Sequence, residues 1–352
     1  MNISAIDLFC GVGGLTHGLE RAGIQVIAGI DIESSCKYAY EVNNKSIFIE
    51  KDIKEIKGSD LESLYPEDTQ IKILVGCAPC QPFSSYTSKY RNSKSLDDKM
   101  DLLSEFGRLI TEIQPEVVSM ENVPQLVKTK IFKDFLEILN RYEYNTDYKI
   151  VYGPDYDVPQ NRRRLILVAS KLSKIKVPDP IRKKEEYLTV RDIISQLPHI
   201  EAGETDSNDC LHTTRNLSSI NIERIEQSKP GGSWEDWDEE LLPNCYRRET
   251  GRTFKSVYGR MEWDKPSPTI TTQFIGYGNG RFGHPEQNRA LSLREGALLQ
   301  TFPADYKFTK SHVKSLKDIA VQIGNAVPVK LGEIIGEAII SSINNQCTKE
   351  RG

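Results

Sequence analysis

The sequence predicts a doubly wound α/β fold that carries a second, less regular domain. Three observations predict it: short apolar runs alternate with amphipathic helical patterns over the first half, a glycine-rich turn joins the first run to the first helix, and the periodicity fails after Ser170. At 352 residues, with 38% hydrophobic and 27% charged side chains, the chain is long enough for two domains with ordinary globular cores.

The strand candidates are ISAIDLF, QVIAGIDI, SIFIEKDI, IKILVGCA, EVVSMENV and RRRLILVAS, each a short run rich in β-branched and aliphatic residues. Between them LTHGLERAG, SCKYAYEVNN, LLSEFGRLITEIQ and IFKDFLEILNRY space their apolar residues by three and four, as amphipathic helices do. After Ser170, prolines and charges in KLSKIKVPDPIRKKEEY suggest a linker. The next hundred or so residues hold polar and glycine-rich stretches without a sustained period, which fits a domain of loops and short strands. The acidic run from Trp234 to Glu240 is read as a solvated segment with tucked indoles. Helical patterning returns from LSLREGALLQTF onward, and VPVKLGEIIGEAIISSIN offers an apolar face that would pack on something large.

Composition narrows the function classes. No apolar run approaches the roughly 18 residues of a membrane helix. The N-terminus lacks a basic segment followed by a long apolar stretch, so an intracellular location is expected by default. Seven scattered cysteines do not form a disulfide framework in a chain this long, so reduced thiols are expected. The net charge of -4 argues against a globally basic nucleic-acid coat, yet Arg247, Arg248, Arg252, Lys255 and Arg260 fall close together with only Glu249 opposing them. Alone, such a cluster reads equally well as a solvated basic face.

DLFCGVGGLTHGLERAG puts Gly11, Gly13 and Gly14 at a strand-to-helix turn, where glycines let the backbone approach a ligand closely. A bare tight turn would look the same. Asp31, about twenty positions on, ends the second strand, where an acidic side chain meets ribose hydroxyls; Asp52, at the end of the third, suits an adenine amino group. Together they point to an adenosine-containing ligand without separating NAD from S-adenosylmethionine.

GCAPCQPFS follows the fourth strand candidate. Its CxxC pair lacks the two further ligands zinc needs, because the sequence has no second CxxC or HxxxH pair. A thioredoxin-like couple would open a helix directly, whereas Pro79 and Pro82 straddle Cys80. Cys80, past the strand end, is therefore the candidate nucleophile, in need of a nearby cation or helix N-terminus to favour its thiolate. Cys77, at the edge of the strand, is read as a packed thiol.

At this point PCQPFS, preceded by DLFCGVGG and followed in order by MENV, QNRRRLI, LSLRE and QIGNAVP, resembles the DNA (cytosine-5) methyltransferase family of bacterial or phage type. The resemblance implies a Rossmann-like domain that uses S-adenosylmethionine, with a smaller target-recognition domain inserted: 1–175 and 315–352 catalytic, 176–314 target recognition. It implies that Cys80 adds to C6 of a flipped-out cytosine in duplex DNA, so that C5 takes the methyl group. Glu121 would support N3, which calls for a carboxyl kept protonated by burial. Arg162 and Arg164, alternating along a strand, would point the same way and hold the base O2 and nearby phosphate, with O2 assigned to Arg164. By the same resemblance Phe9 stacks on adenine, Asp31 binds ribose, Asp52 and Ile53 flank the adenine, Pro79 and Leu102 line the pocket, Asn325, Ala326 and Val327 approach from the C-terminal block, and Asp7 joins the set. Ala326 stands where serine is commoner, and Ile32 where an aromatic is expected, which leaves less stacking surface.

DNA contacts are expected from Ser84, Ser85 and Tyr86 after the nucleophile, from the basic cluster, and from Thr269 and Thr271 of the TITT stretch. No metal is expected, the protein is expected to be monomeric, and a cognate restriction endonuclease is a candidate partner. The rivals are a tRNA cytosine-5 methyltransferase of the same fold, against which no Cys-Phe-Thr tripeptide occurs, a catalytically silent DNA-binding relative, and an NAD-dependent enzyme.

Overall fold

A computed structural model describes residues 1–79, 97–248, 255–313 and 315–350, the side chains of 97–101 and 345–350 excepted. The chain starts in the middle of a sheet. β1 (Ile3–Leu8) buries Ala5, Ile6 and Leu8 completely, and α1 (Gly14–Arg21) returns the chain to β2 (Gln25–Asp31). α2 (Lys37–Asn43) leads to β3 (Ile47–Glu50) at one edge, after which α3 (Gly58–Glu62) crosses back to β4 (Ile71–Gly76), on the other side of β1. Then follow α4 (Asp97–Ile113), β5 (Val117–Asn122), α5 (Lys130–Arg141) and β6 (Asn145–Tyr152). β7 (Gln160–Asn161) stands outside this sheet, and β8 (Arg163–Ser170) enters it antiparallel between β5 and β6.

The order β3-β2-β1-β4-β5-β8-β6 confirms the doubly wound α/β expectation. Its parallel strands read as continuous apolar runs because both faces are covered: Ile73, Leu74 and Val75 of β4 are fully buried. β6 was not among the strand candidates. It is an edge strand with one partner, its residues Tyr148 and Ile150 are 41% and 49% exposed, and NTDYKIVY therefore lacks the apolar run that marks its neighbours.

The winding direction reverses between β1 and β4, and open α/β sheets bind ligands outside the carboxyl ends of the strands at such a reversal. The two stretches singled out in the sequence, DLFCGVGG and GCAPC, leave the sheet from these two strands.

The chain divides into two compact units, Met1–Tyr156 with Arg163–Ile181 and Val327–Gly352, and Asp157–Arg162 with Arg182–Ala326. The second holds α6 (Val190–Ile194), α7 (Ser219–Gln227), β9 (Ser267–Pro268, paired with β7), α8 (Leu293–Leu299) and α9 (Leu316–Asn325). Its irregular stretches pack around aromatic rings: Trp234 stacks on Tyr246 with centroids 4.8 Å apart, and Trp237 and Tyr277 join the same cluster, so the indoles of the acidic run are indeed buried. Beneath the capped start of α8, Arg289 meets Glu295 in a fully buried ion pair at 2.8 Å.

α10 (Val329–Glu350) completes the first unit by docking on α1. A Cβ at Gly18 would lie 2.4 Å from the Val329 carbonyl oxygen and 2.5 Å from the Glu333 nitrogen, so the two helices touch backbone to backbone. Among the described residues no helix is long and apolar enough to cross a membrane.

Candidate active site

The turn after β1 bends through the left-handed region three times in five residues, at Phe9 (φ 60°), Gly11 (φ 51°) and Gly13 (φ 88°). For Phe9 this conformation costs on the order of 1–2 kcal/mol, so the surroundings must enforce it. They do so through β2. The Cys10 amide donates to the Ile30 carbonyl (3.1 Å) and the Gly11 amide to Asp31 Oδ2 (2.8 Å), while Asp31 Oδ1 accepts from the Glu33 amide (2.9 Å). Asp31 thus fixes the turn while standing at a strand end. Burial raises its pKa, and the amides of Glu33 and Gly11 oppose that rise. Gly13 precedes α1 as its N-cap and supplies no side-chain hydrogen bond.

Of the expected cofactor residues, Asp52 and Ile53, Asp31 and Ile32, Phe9 with the glycines, and Pro79 stand at or just past the ends of adjacent strands β3, β2, β1 and β4. Ile32, 68% exposed, follows β2. Asp52 caps the turn after β3, its Oδ1 accepting from the Lys54 amide at 3.0 Å, and Ile53 is buried beneath it. Phe9 and Leu102 are half-buried against the main core, Gly13 and Gly14 are buried, and Pro79 is exposed beyond β4. Val327 lies buried just before α10 in the first unit; Asn325, exposed, and Ala326, half-buried, end the second.

Asp7 differs from the rest of the set. It is 1% exposed, its Oδ2 accepts from Thr16 Oγ1 (2.7 Å), and Oδ1 accepts no hydrogen bond from any described residue. Desolvation, opposed by the Thr16 bond and reinforced by Asp31, raises its pKa to about 7. The carboxyl is a strut between β1 and α1 inside the core.

At the ends of β4 and β5 a second cluster forms. The Cys77 amide donates to the Leu8 carbonyl (3.3 Å), and Asn122 Nδ2 donates to the Ala78 carbonyl (3.0 Å) while its Oδ1 accepts from the Val123 amide (2.8 Å). The segment leading toward residue 80 is therefore tied to β1 on one side and β5 on the other. Cys80, Ser84, Ser85 and Tyr86 lie outside the described residues. Glu121, the penultimate residue of β5 and 2% exposed, meets Arg164 Nε at 2.8 Å through Oε1 and accepts from Cys77 Sγ at 2.8 Å through Oε2. The Arg164 approach is ionic, since Oε1 accepts no directed hydrogen bond from any described residue.

Several expectations are corrected here. Cys77 is not simply packed: it is half-buried and its thiol engages Glu121. Arg162 and Arg164 do not alternate on one strand. The chain kinks before β8, where the Arg162 amide donates to the Gln160 carbonyl (2.7 Å), and Arg162 belongs to the second unit, where it is 4% exposed and donates to the Ile270 carbonyl (3.3 Å). Arg163 lies over the Tyr152 ring.

Arg260, expected among the phosphate contacts, lies inside the second unit. It is 4% exposed, and its guanidinium donates to the carbonyls of Ile225, Ser228, His284 and Gln287 and to Asn288 Oδ1. Of the other basic residues, Arg247 is exposed and donates to the Leu242 and Glu239 carbonyls, Arg248 is exposed, Lys255 pairs with Glu235 at 2.9 Å, and Arg252 lies outside the described residues. Thr269 Oγ1 donates to the Asn161 carbonyl (2.6 Å), and Thr271 Oγ1 accepts from the Gln273 amide (3.4 Å). Sequence reasoning overlooked Asn122, although the MENV block contains it, and gave Cys77 no role because its contact joins residues 44 positions apart.

Comparison with known proteins gives a consistent result. The model of the C-5 cytosine-specific DNA methylase family matches residues 3–341. The type II methylase M.HgiDII of Herpetosiphon aurantiacus is 53% identical over 340 residues, covering 96% of this chain and 94% of that protein. The type II methyltransferase M1.HphI of Haemophilus parahaemolyticus is 32% identical over 351 residues, covering 98% and 89%. Among solved structures, an E. coli prophage chain described as a DNA modification methyltransferase superposes with a TM-score of 0.73 at 24% identity, covering 97% of this chain and 99% of its own, a likeness of fold.

Proposed function

The chain belongs to the C-5 cytosine-specific DNA methylase family and is a DNA (cytosine-5) methyltransferase, and from that premise we propose that it methylates C5 of a cytosine flipped out of duplex DNA, with S-adenosylmethionine as donor and Cys80 as nucleophile. The observation that carries the residue assignment is Glu121: a buried carboxyl at a strand end beside the reversal, ion-paired to Arg164, with Oε1 free of any directed hydrogen bond from the described residues.

Cys80 adds through its thiolate to C6, and the electron pair displaced from the C5–C6 bond moves toward C5 and N3. Glu121 meets that charge at N3 with a hydrogen bond or proton, which only a group positioned before reaction can do without reorganisation cost. Arg164 holds Glu121 and is assigned the base O2. S-adenosylmethionine held beside Asp31 and Asp52 would supply an electrophilic sulfonium methyl to C5 and leave as the thioether S-adenosylhomocysteine. Loss of the C5 proton to a water molecule then re-forms the C5=C6 double bond and expels the Cys80 thiolate, any proton given to N3 returns to Glu121, and the base leaves with one proton exchanged for one methyl.

Fit to the donor is supported by the turn itself. The Gly11 side is open, since a Cβ there would meet nothing within 4 Å, and the carboxylates Asp31 and Asp52 with the exposed Ile32 and half-buried Phe9 offer ribose and adenine partners. The second unit is assigned target recognition, with Arg247, Arg248 and Lys255 as exposed phosphate contacts.

Purified protein is expected to transfer a labelled methyl group from S-adenosylmethionine to plasmid DNA, and Cys80→Ser to abolish transfer. Unlabelled plasmid with labelled tRNA would overturn the DNA reading. Bisulfite sequencing of a co-expressed plasmid reports the modified cytosine.

A further inference from the structure

Glu121 has a second partner that the proposed chemistry leaves unused. Cys77 Sγ is 2.8 Å from Oε2, on the opposite carboxyl oxygen from Arg164. The parallel register of β4 and β5 runs to Gly76 opposite Met120, so the next step along both chains brings Cys77 beside Glu121. The backbone there is pinned on both sides, by the Cys77 amide to the Leu8 carbonyl and by Asn122 Nδ2 to the Ala78 carbonyl. The thiol is therefore presented to the carboxyl by two locked strand ends.

A guanidinium can only donate hydrogen bonds, and Arg164 suits only the ionised carboxyl. A thiol is both a weak donor and a weak acceptor. Turned one way it gives its S–H to a carboxylate oxygen; turned the other, it accepts the O–H of a protonated carboxyl. We propose that Cys77 is a positioning residue of this methyltransferase: it holds Glu121 through Oε2 in either protonation state, keeping the carboxyl's orientation fixed while a proton is exchanged at N3. No bond to Cys77 forms or breaks. The inference rests on the reading of Glu121 as the group that supports N3.

The test is steady-state methyl transfer from labelled S-adenosylmethionine to unmethylated phage genomic DNA by wild type, Cys77→Ala, Cys77→Ser, Glu121→Gln and the Cys77→Ala/Glu121→Gln double variant. Removing one hydrogen bond to a charged group predicts that Cys77→Ala lowers kcat roughly tenfold to 150-fold, with KM for DNA within about twofold. Cys77→Ser, which keeps a donor and acceptor, recovers at least half of the lost rate, and in the Glu121→Gln background Cys77→Ala costs nothing further. A Cys77→Ala rate matching wild type while Glu121→Gln is disabled overturns the inference alone, as does an effect that multiplies with that of Glu121→Gln. Full activity in Glu121→Gln overturns the reading of Glu121 itself. If Cys77→Ala loses its cooperative melting transition, Cys77→Val, also without a hydrogen-bonding group, carries the same expectation.

Discussion

Arg260→Ala should destabilise the second unit rather than weaken a phosphate contact. Nε donates to the Ser228 carbonyl (2.8 Å) and the Ile225 carbonyl (3.1 Å), Nη1 to those of His284 (2.8 Å) and Gln287 (2.7 Å), and Nη2 again to that of Ile225 (2.8 Å). Desolvation lowers the guanidinium pKa from its usual value, which marks a cation held by the interior rather than by solvent. Truncation strands several carbonyls at once. Hydrogen bonds from charged groups contribute about 1.5–3 kcal/mol each, and partial rehydration of the carbonyls reduces the sum, so a loss of roughly 3–5 kcal/mol is expected. For a domain of this size each kcal/mol shifts the melting temperature by about 2–4 °C, which predicts a fall of roughly 6–20 °C by calorimetry. Arg260→Lys discriminates sharply: one ammonium keeps the charge a phosphate needs but cannot span carbonyls on two segments, so it should melt early too. The reasoning is refuted if both variants melt with wild type while, below the transition, Arg260→Ala alone lowers the salt dependence of DNA binding by about one counterion.

Two further predictions concern pH. His284 Nδ1 accepts the amides of Glu286 (3.2 Å) and Gln287 (2.9 Å), and burial lowers its pKa from 6.5 to about 3. The unfolded chain takes up a proton there that the folded chain refuses, so this stability is complete above pH 6.5 and drains as pH falls toward 3; melting temperatures should decline from about pH 6.5 to 5, and His284→Asn, whose amide oxygen can take the same amides, should flatten the decline. Below 4.5 Glu295 adds a loss of its own, because Arg289 outweighs burial and holds it down to about 2. Asp7 has the opposite sign: the unfolded carboxyl ionises above 3.8 and the folded one only near 7, so its cost grows as pH rises through that window, and Asp7→Asn should gain more melting temperature at pH 8 than at pH 5. Equal gains at both would refute the assignment of Asp7 as a buried, raised carboxyl.

How much of this was legible in the sequence depends on whether an interaction leaves a local mark. The parallel strands did, because burial on both faces demands apolar residues at every position, and the strand-end acids did, because the fold repeats its spacing. β6 left none, since an edge strand tolerates the polar residues of NTDYKIVY. The kink before β8 left none either: RRR reads as a uniform strand start, and only the Arg162 amide bonding back to Gln160 breaks it. Arg260 looked like surface charge because its partners are carbonyls, which every residue carries and no sequence advertises.

Buried carbonyls also draw other arginines of the second unit inward. Helices and sheets satisfy carbonyls with backbone amides, but a domain built largely of turns leaves many without a ladder partner, and each buried one must find a donor. Arginine, with five donors in a rigid fork, serves several at once. Arg260 does so, Arg281 bonds the Gly231, Gly232 and Arg260 carbonyls, Arg289 takes those of Ile200 and Ala290 besides Glu295, and Arg294 pairs with Asp209 while reaching the Tyr306 carbonyl. Part of the unit's positive charge is thus inside it. An irregular domain rich in arginine consequently announces its folding as readily as its ligand, and only those whose heads reach solvent, such as Arg248, remain as candidates to meet DNA.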